Sequence, residues 1–140
     1  MAVYKEIIDK KGVYILPQIN CKLVYGDEPM IKSIIRNLID NAIKNTPNGS
    51  IIITSGYSPN EELCEIIIAD EGKGMTEEEI VAMNKYFRSD DDILPFSILG
   101  YGHKVIKDFV HKQRGTIRYR QNVPSGIIAT VVLPVTGSPE

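Results

Sequence analysis

The sequence predicts an α+β two-layer sandwich, in which a mixed, mostly antiparallel β-sheet is covered on one face by about three helices around a single core. Three observations carry that expectation. Strand-like and helix-like segments alternate along the chain. The best-defined strand pairs are joined by short turns, as antiparallel neighbours are, whereas a parallel pair needs a long crossover. The longest helical run is apolar along one broad stripe only, so it has one face to bury. A doubly wound parallel sheet also suits the interleaving, but the hairpins disfavour it.

Residues 2–10, AVYKEIIDK, read as a short helix closed by Gly12, and VYILPQI reads as a strand in which Pro17 marks an edge or an end. A second short strand, KLVY, follows Asn20. At GDEPM, Asp27 can cap a helix, Glu28 suits the positive end of its dipole, and Pro29 is tolerated in the first turn. Met30, Ile31, Ile34, Ile35, Leu38, Ile39, Ala42 and Ile43 then recur in pairs four apart, until Pro47 and the following Asn48-Gly49 end the helix. SIIITSGY and LCEIIIAD form the first hairpin. Thr76, with Glu79 placed for a capping box, opens another helix, and KYFRSDDDILPFSILGYGH is a polar, interrupted connection. A further helix runs from about Gly102 to Gln113 with Val105, Ile106, Phe109 and Val110 on one face. TIRYRQN and GIIATVVLP close the chain as two strands joined at Pro124-Ser125-Gly126.

A chain of 140 residues with 43% hydrophobic and 24% charged residues is an ordinary globular domain that can bury a core unaided. Its net charge of -2 argues against a nucleic-acid partner, since no basic excess is available to neutralise phosphates. Cys21 and Cys64 lie far apart without metal-type spacing and read as reduced packing residues, which points to the cytoplasm. No apolar run approaches the roughly 18 residues of a membrane helix, and Met1 opens no signal-peptide pattern, so no direct membrane contact is expected.

The long helix carries Asn37, Asn41 and Asn45 along one flank of its apolar stripe, although asparagine weakens a helix interior. Asn41 can present a carbonyl oxygen and Lys44 a point charge toward one spot, and a hard oxygen suits Mg²⁺ shared with the phosphates of a nucleotide. In DEGKG, a strand delivers Asp70 to a turn with Gly72 and Gly74, where a carboxylate can accept a hydrogen bond from an exocyclic amine such as adenine's. In GYGHKVIKDFV, Gly100 and Gly102 precede a helix N-terminus whose free N–H groups can cradle phosphate. Each pattern alone is weak, because polar residues flank core stripes, and Asp and Gly make turns, in many proteins. Their combination in this order is the signal.

The arrangement resembles the ATP-binding catalytic domain of sensor histidine kinases, within the wider family of gyrase, Hsp90, kinase and MutL type ATPases. NLIDNAIKNTPNG is similar to that family's N box, DEGKGM to its G1 box, Tyr86-Phe87 to a reduced F box, and GYGHKVIKDFV to its G2 box, while GIIATVVLP resembles its final strand. The resemblance implies a Bergerat fold over 12–137, with residues 1–11 as the end of a linker from an upstream dimerisation and phosphoacceptor domain. It implies ATP and Mg as cofactors, with Asn41 coordinating the metal, Asn41 and Lys44 as catalytic residues, and Asp70 on the adenine amine. Asn37, Asn45, Gly72, Gly74, Met75, Arg88, Gly100, Tyr101, Gly102 and His103 complete the implied nucleotide contacts, and a lid runs from about Arg88 to Leu99.

The implied activity is transfer of the γ-phosphate to a histidine on the separate helical domain, with a response regulator addressed indirectly. Relatives that hydrolyse ATP or phosphorylate serine carry a glutamate where Asn37 stands, a possible general base that asparagine cannot replace. A histidine acceptor brings its own nucleophile and needs positioning more than proton removal. His103, in place of the usual leucine, and His111 read as structural, so no phosphoacceptor is expected in this chain. Asn45 stands where an aromatic is common, Ser97 and Ile98 where lid glycines are, and Asp90, Asp91 and Asp92 make the lid acidic. These departures keep open a nucleotide-binding module with lost or altered kinase activity, and the size fits an anti-sigma type serine kinase. Tyr86, Phe87, Ile93, Leu94, Phe96 and Ile98 are expected around the lid, packing on the core or docking on the helical domain.

Overall fold

The computed structural model describes residues 13–18, 28–46, 49–60, 62–90 and 100–134. The expected first helix, the KLVY strand, the Asp27 cap, Cys21 and most of the lid lie outside these residues. The described elements run in the order β1 (Val13–Gln18), α1 (Glu28–Asn45), β2 (Gly49–Tyr57), β3 (Leu63–Asp70), α2 (Glu77–Arg88), α3 (Gly100–Lys112), β4 (Thr116–Gln121) and β5 (Ile127–Pro134).

The strands form one five-stranded sheet in the order β1-β2-β3-β5-β4. β1 pairs parallel to β2, and every other pair is antiparallel. Pro17 therefore sits in an edge strand, where proline is tolerated. Period-two burial along β2, β3 and β5 sends Ile51, Ile53, Ile66, Ile68, Ala129, Val131 and Leu133 to one face. Ile34, Leu38, Ile39, Ala42 and Ile43 of α1, together with Ile106 and Val110 of α3, close that face. The three described helices thus cover one side of the sheet, as the one-sided stripe on α1 requires.

Two local expectations are corrected. α2 continues to Arg88, so Tyr86 and Phe87 end a helix and are not part of the polar connection; both are buried, which matches the core-packing reading of the two given for them, because Ile80, Met83 and Phe87 recur on one helical face. Phe87 reaches β4 and α3, meeting the Tyr119 ring edge-on at 5.2 Å between centroids. Cys64, on the inward face of β3, is disulfide-bonded and fully buried, not a reduced thiol.

The capping box forms as expected: Glu79 N donates to Thr76 Oγ1 at 3.1 Å, and Thr76 N donates to Glu79 Oε1 at 2.9 Å. This fixes where α2 starts and hence the length of the loop between β3 and α2. No helix among the described residues is long and apolar enough to cross a membrane.

Candidate functional site

The register of the sheet builds the first wall of a cleft. Ala69 pairs with Ile128, so Asp70 at the end of β3 faces the start of β5. Its Oδ1 accepts from Gly72 N at 2.9 Å and from Ile127 N at 3.1 Å. The carboxyl group is buried, and desolvation raises its pKa above the ordinary value of 3.8, opposed by those two hydrogen bonds. With one oxygen occupied by the main chain, the other is left to the cleft that Asp70 lines.

Glycines permit the close approach. A Cβ on Gly72 would lie 1.9 Å from the carbonyl oxygen of Asn45, and Lys73 N donates to that same oxygen at 3.2 Å, satisfying an end carbonyl of α1. Gly126 has φ +109, and a Cβ there would lie 2.0 Å from the carbonyl oxygen of Asp70. The loop after β3 is therefore clamped between the end of α1 and the β4–β5 turn. Asn122 Nδ2 adds a hydrogen bond of 2.8 Å to Asp70 O.

α1 and α3 supply the second wall. A Cβ on Gly102 would stand 3.2 Å from Asn37 Oδ1 and 3.7 Å from Asn41 Oδ1, so the asparagine flank faces the first turn of α3 directly. Asn37 Nδ2 donates to Ser33 O at 2.8 Å, one turn back, which directs its oxygen toward Gly102. His103 is turned inward and buried; Tyr119 Oη lies 2.9 Å from its Nε2, and Asn41 Nδ2 lies 3.5 Å from the same nitrogen. Burial pushes the Tyr119 hydroxyl far above its usual pKa; a hydrogen bond from Asn41 opposes this, and the charge of Asp70 adds to it.

These walls border an open cleft lined by Leu38, Asn41, Ala42, Asn45, Ile68, Asp70, Met75, His103, Tyr119, Ile127 and Ala129. Apolar walls with a few convergent polar groups are what a flat heteroaromatic ligand needs. Asn41, Asn45, Asp70, Met75 and His103, anticipated from sequence, line it together. Gly72, Gly74 and Gly102 shape its rim, while Asn37 lies beside Gly102 just outside the lining. Lys44 and Arg88 are exposed on their helices and do not line it, and Gly100 and Tyr101 open α3. Tyr119, Ile127 and Ala129 were not anticipated; the inward alternation of Ile117 and Tyr119 on β4 was the available signal.

The fold and this cleft define the class. Residues 26–137 match the family of histidine kinase-, DNA gyrase B-, and HSP90-like ATPases, and the chain belongs to that family. Among its curated relatives are the signal transduction histidine-protein kinase/phosphatase MprB of Mycolicibacterium vanbaalenii, 32% identical over 122 residues that span 83% of this chain and 25% of the relative, and sporulation kinase B of Bacillus subtilis, 29% identical over 112 residues that span 80% and 25%. The chain thus spans about a quarter of the length of these curated relatives. Among solved structures, the catalytic domain of histidine kinase ThkA superposes with a TM-score of 0.79 over 98% of this chain and 89% of that one, at 24% identity. Acinetobacter baumannii histidine kinase AdeS gives 0.72 over 97% and 61%, at 26% identity.

Proposed function

We propose that this chain is the ATP-binding catalytic domain of a two-component sensor histidine kinase, holding Mg-ATP and passing the γ-phosphate to a histidine on a separate helical dimerisation domain. The observation that carries the reading is the meeting of Asn41, Asp70 and Gly102, from three separate segments, around one cleft. Residues 12–137 would be the catalytic domain and 1–11 the end of the linker that joins it to the acceptor domain.

The residues present fit a metal-bound nucleotide. Asp70 keeps a carboxylate oxygen for an amine of the base. Asn37 and Asn41 turn neutral amide oxygens toward the first turn of α3, and such donors complement phosphate oxygens around Mg²⁺. Gly102 leaves room where a Cβ would crowd those oxygens, and the amides of that turn point to a polyanion. When bound, Mg²⁺ supplies charge neutralisation at the phosphates. Lys44 and Arg88, exposed in this state, are proposed to reach the phosphates from the rim, and the work of the site is positioning and electrostatic stabilisation.

Asn37 favours histidine over serine or water as the acceptor. Its amide is tied to Ser33 and cannot take a proton, so no base stands at that position. The test is the full reading frame that contains this chain, incubated with Mg-ATP. Phosphate stable to base and labile to acid on an upstream histidine is the expected product. Nucleotide binding without any such product would favour a binding module instead.

A further inference from the structure

We propose that His103 and Tyr119 form a positioning pair that sets the orientation of the Asn41 side-chain amide, and through it how strongly Mg²⁺ tightens nucleotide binding. The inference rests on the reading of Asn41 as the metal-contacting residue.

An asparagine amide fits the same space in either of two orientations, one presenting oxygen and the other nitrogen, so something must choose. Asn37 is fixed within its own helix by the bond to Ser33 O. Asn41 is fixed from outside: its amide nitrogen lies 3.5 Å from His103 Nε2, and the Tyr119 hydroxyl lies 2.9 Å from the same ring nitrogen. With the ring proton on Nδ1, His103 Nε2 is an acceptor toward both the Tyr119 O–H and the Asn41 N–H. Reversing the amide would then set its carbonyl oxygen against a ring nitrogen that carries no proton, leaving two acceptors face to face. In the orientation observed, Asn41 Oδ1 faces Gly102 at the start of α3.

The pair is held firmly enough to act this way. His103 and Tyr119 are 5% and 4% exposed, and the Phe87 ring packs against both. Asn84 brackets the backbone of Tyr119, donating to its carbonyl at 2.9 Å and accepting from its N–H at 2.7 Å. Tyr119 is thereby locked on the free edge of β4. Partners one step behind a metal-contacting group commonly change metal affinity by about 10–100-fold when removed.

The test titrates the 140-residue chain with a non-hydrolysable ATP analogue in Mg²⁺ and in EDTA at equal ionic strength. The readout is the ratio of the two dissociation constants, which cancels effects common to both conditions. Tyr119→Phe and His103→Leu are expected to lower the ratio about tenfold, and His103→Gln, whose amide oxygen can accept the tyrosine proton, to restore it. A wild-type ratio in Tyr119→Phe, with Asn41→Ala abolishing the metal effect, overturns this inference alone. An unchanged ratio in Asn41→Ala overturns the metal reading and the coupling with it. A metal-free measurement does not depend on the variants folding: in the asparagine-labelled wild-type protein, the Asn41 side-chain amide protons should show NMR contacts to the Tyr119 ring. Their absence would also overturn the proposal.

Discussion

At the Asp70 end of the cleft the main chain sets the geometry: backbone N–H groups of Gly72 and Ile127 hold the carboxylate, and glycines let three segments touch. At the Asn41 end side chains set it: an amide, a phenol and an imidazole from α1, β4 and α3 are ordered by hydrogen bonds between residues up to 62 positions apart. The first construction fails by steric collision and takes local folding with it. The second fails by losing direction while the fold stands. Changes at the two ends should therefore separate stability from metal response.

The largest expected effect is at the first end. Gly72→Ala forces a Cβ against the carbonyl of Asn45, and should cost about 3 kcal/mol or more of unfolding free energy in urea denaturation, with nucleotide binding lost as well. If its stability stays within about 0.5 kcal/mol of wild type, the clamp described here is not tight.

Next in size is Asp70→Asn. The amide can keep accepting from Gly72 and Ile127, but then it turns a donor toward the base where an acceptor stood. Nucleotide affinity should fall about a hundredfold, or about 2.7 kcal/mol, by calorimetric titration. Unaltered affinity would remove Asp70 from the site.

The same substitution sharpens the comparison through pH. Because burial raises the Asp70 pKa above 3.8, the folded protein holds that proton more tightly than the unfolded chain does. Its contribution to stability is complete below that value and is lost as pH rises through the raised pKa. Wild type should thus lose stability relative to Asp70→Asn as pH rises from below 3.8 through the raised Asp70 pKa, read from paired urea midpoints. A difference that grows in favour of wild type over that range would contradict the burial argument.

The smallest effect lies outside both ends. Thr76→Ala removes the capping box of α2 and should cost about 1 kcal/mol, measured by thermal or urea unfolding, without moving the Mg²⁺ response.

Much of this was legible before any coordinates. The apolar stripe of α1, the capping box at Thr76 and the hairpin of β2 and β3 are local patterns, and local patterns determine local elements. Glycine-marked segments announced the Asp70 end, because a residue without Cβ in such a turn signals close approach. The Asn41 end was half legible: the asparagine flank was visible, but its partners were not. Nothing within β4 marks Tyr119 as more than an inward aromatic, and His103 read only as a structural replacement for leucine, until the packing of α3 against α1 and β4 brought both to Asn41. Tyr86 and Phe87 were misplaced for a related reason, since a polar run beginning at Lys85 hid the last turn of α2.

The most direct test of the central claim is a calorimetric titration of the chain with a non-hydrolysable ATP analogue, in Mg²⁺ and in EDTA. The account predicts saturable binding at one site that Mg²⁺ tightens and Asp70→Asn weakens. No binding at millimolar nucleotide in either condition would contradict it.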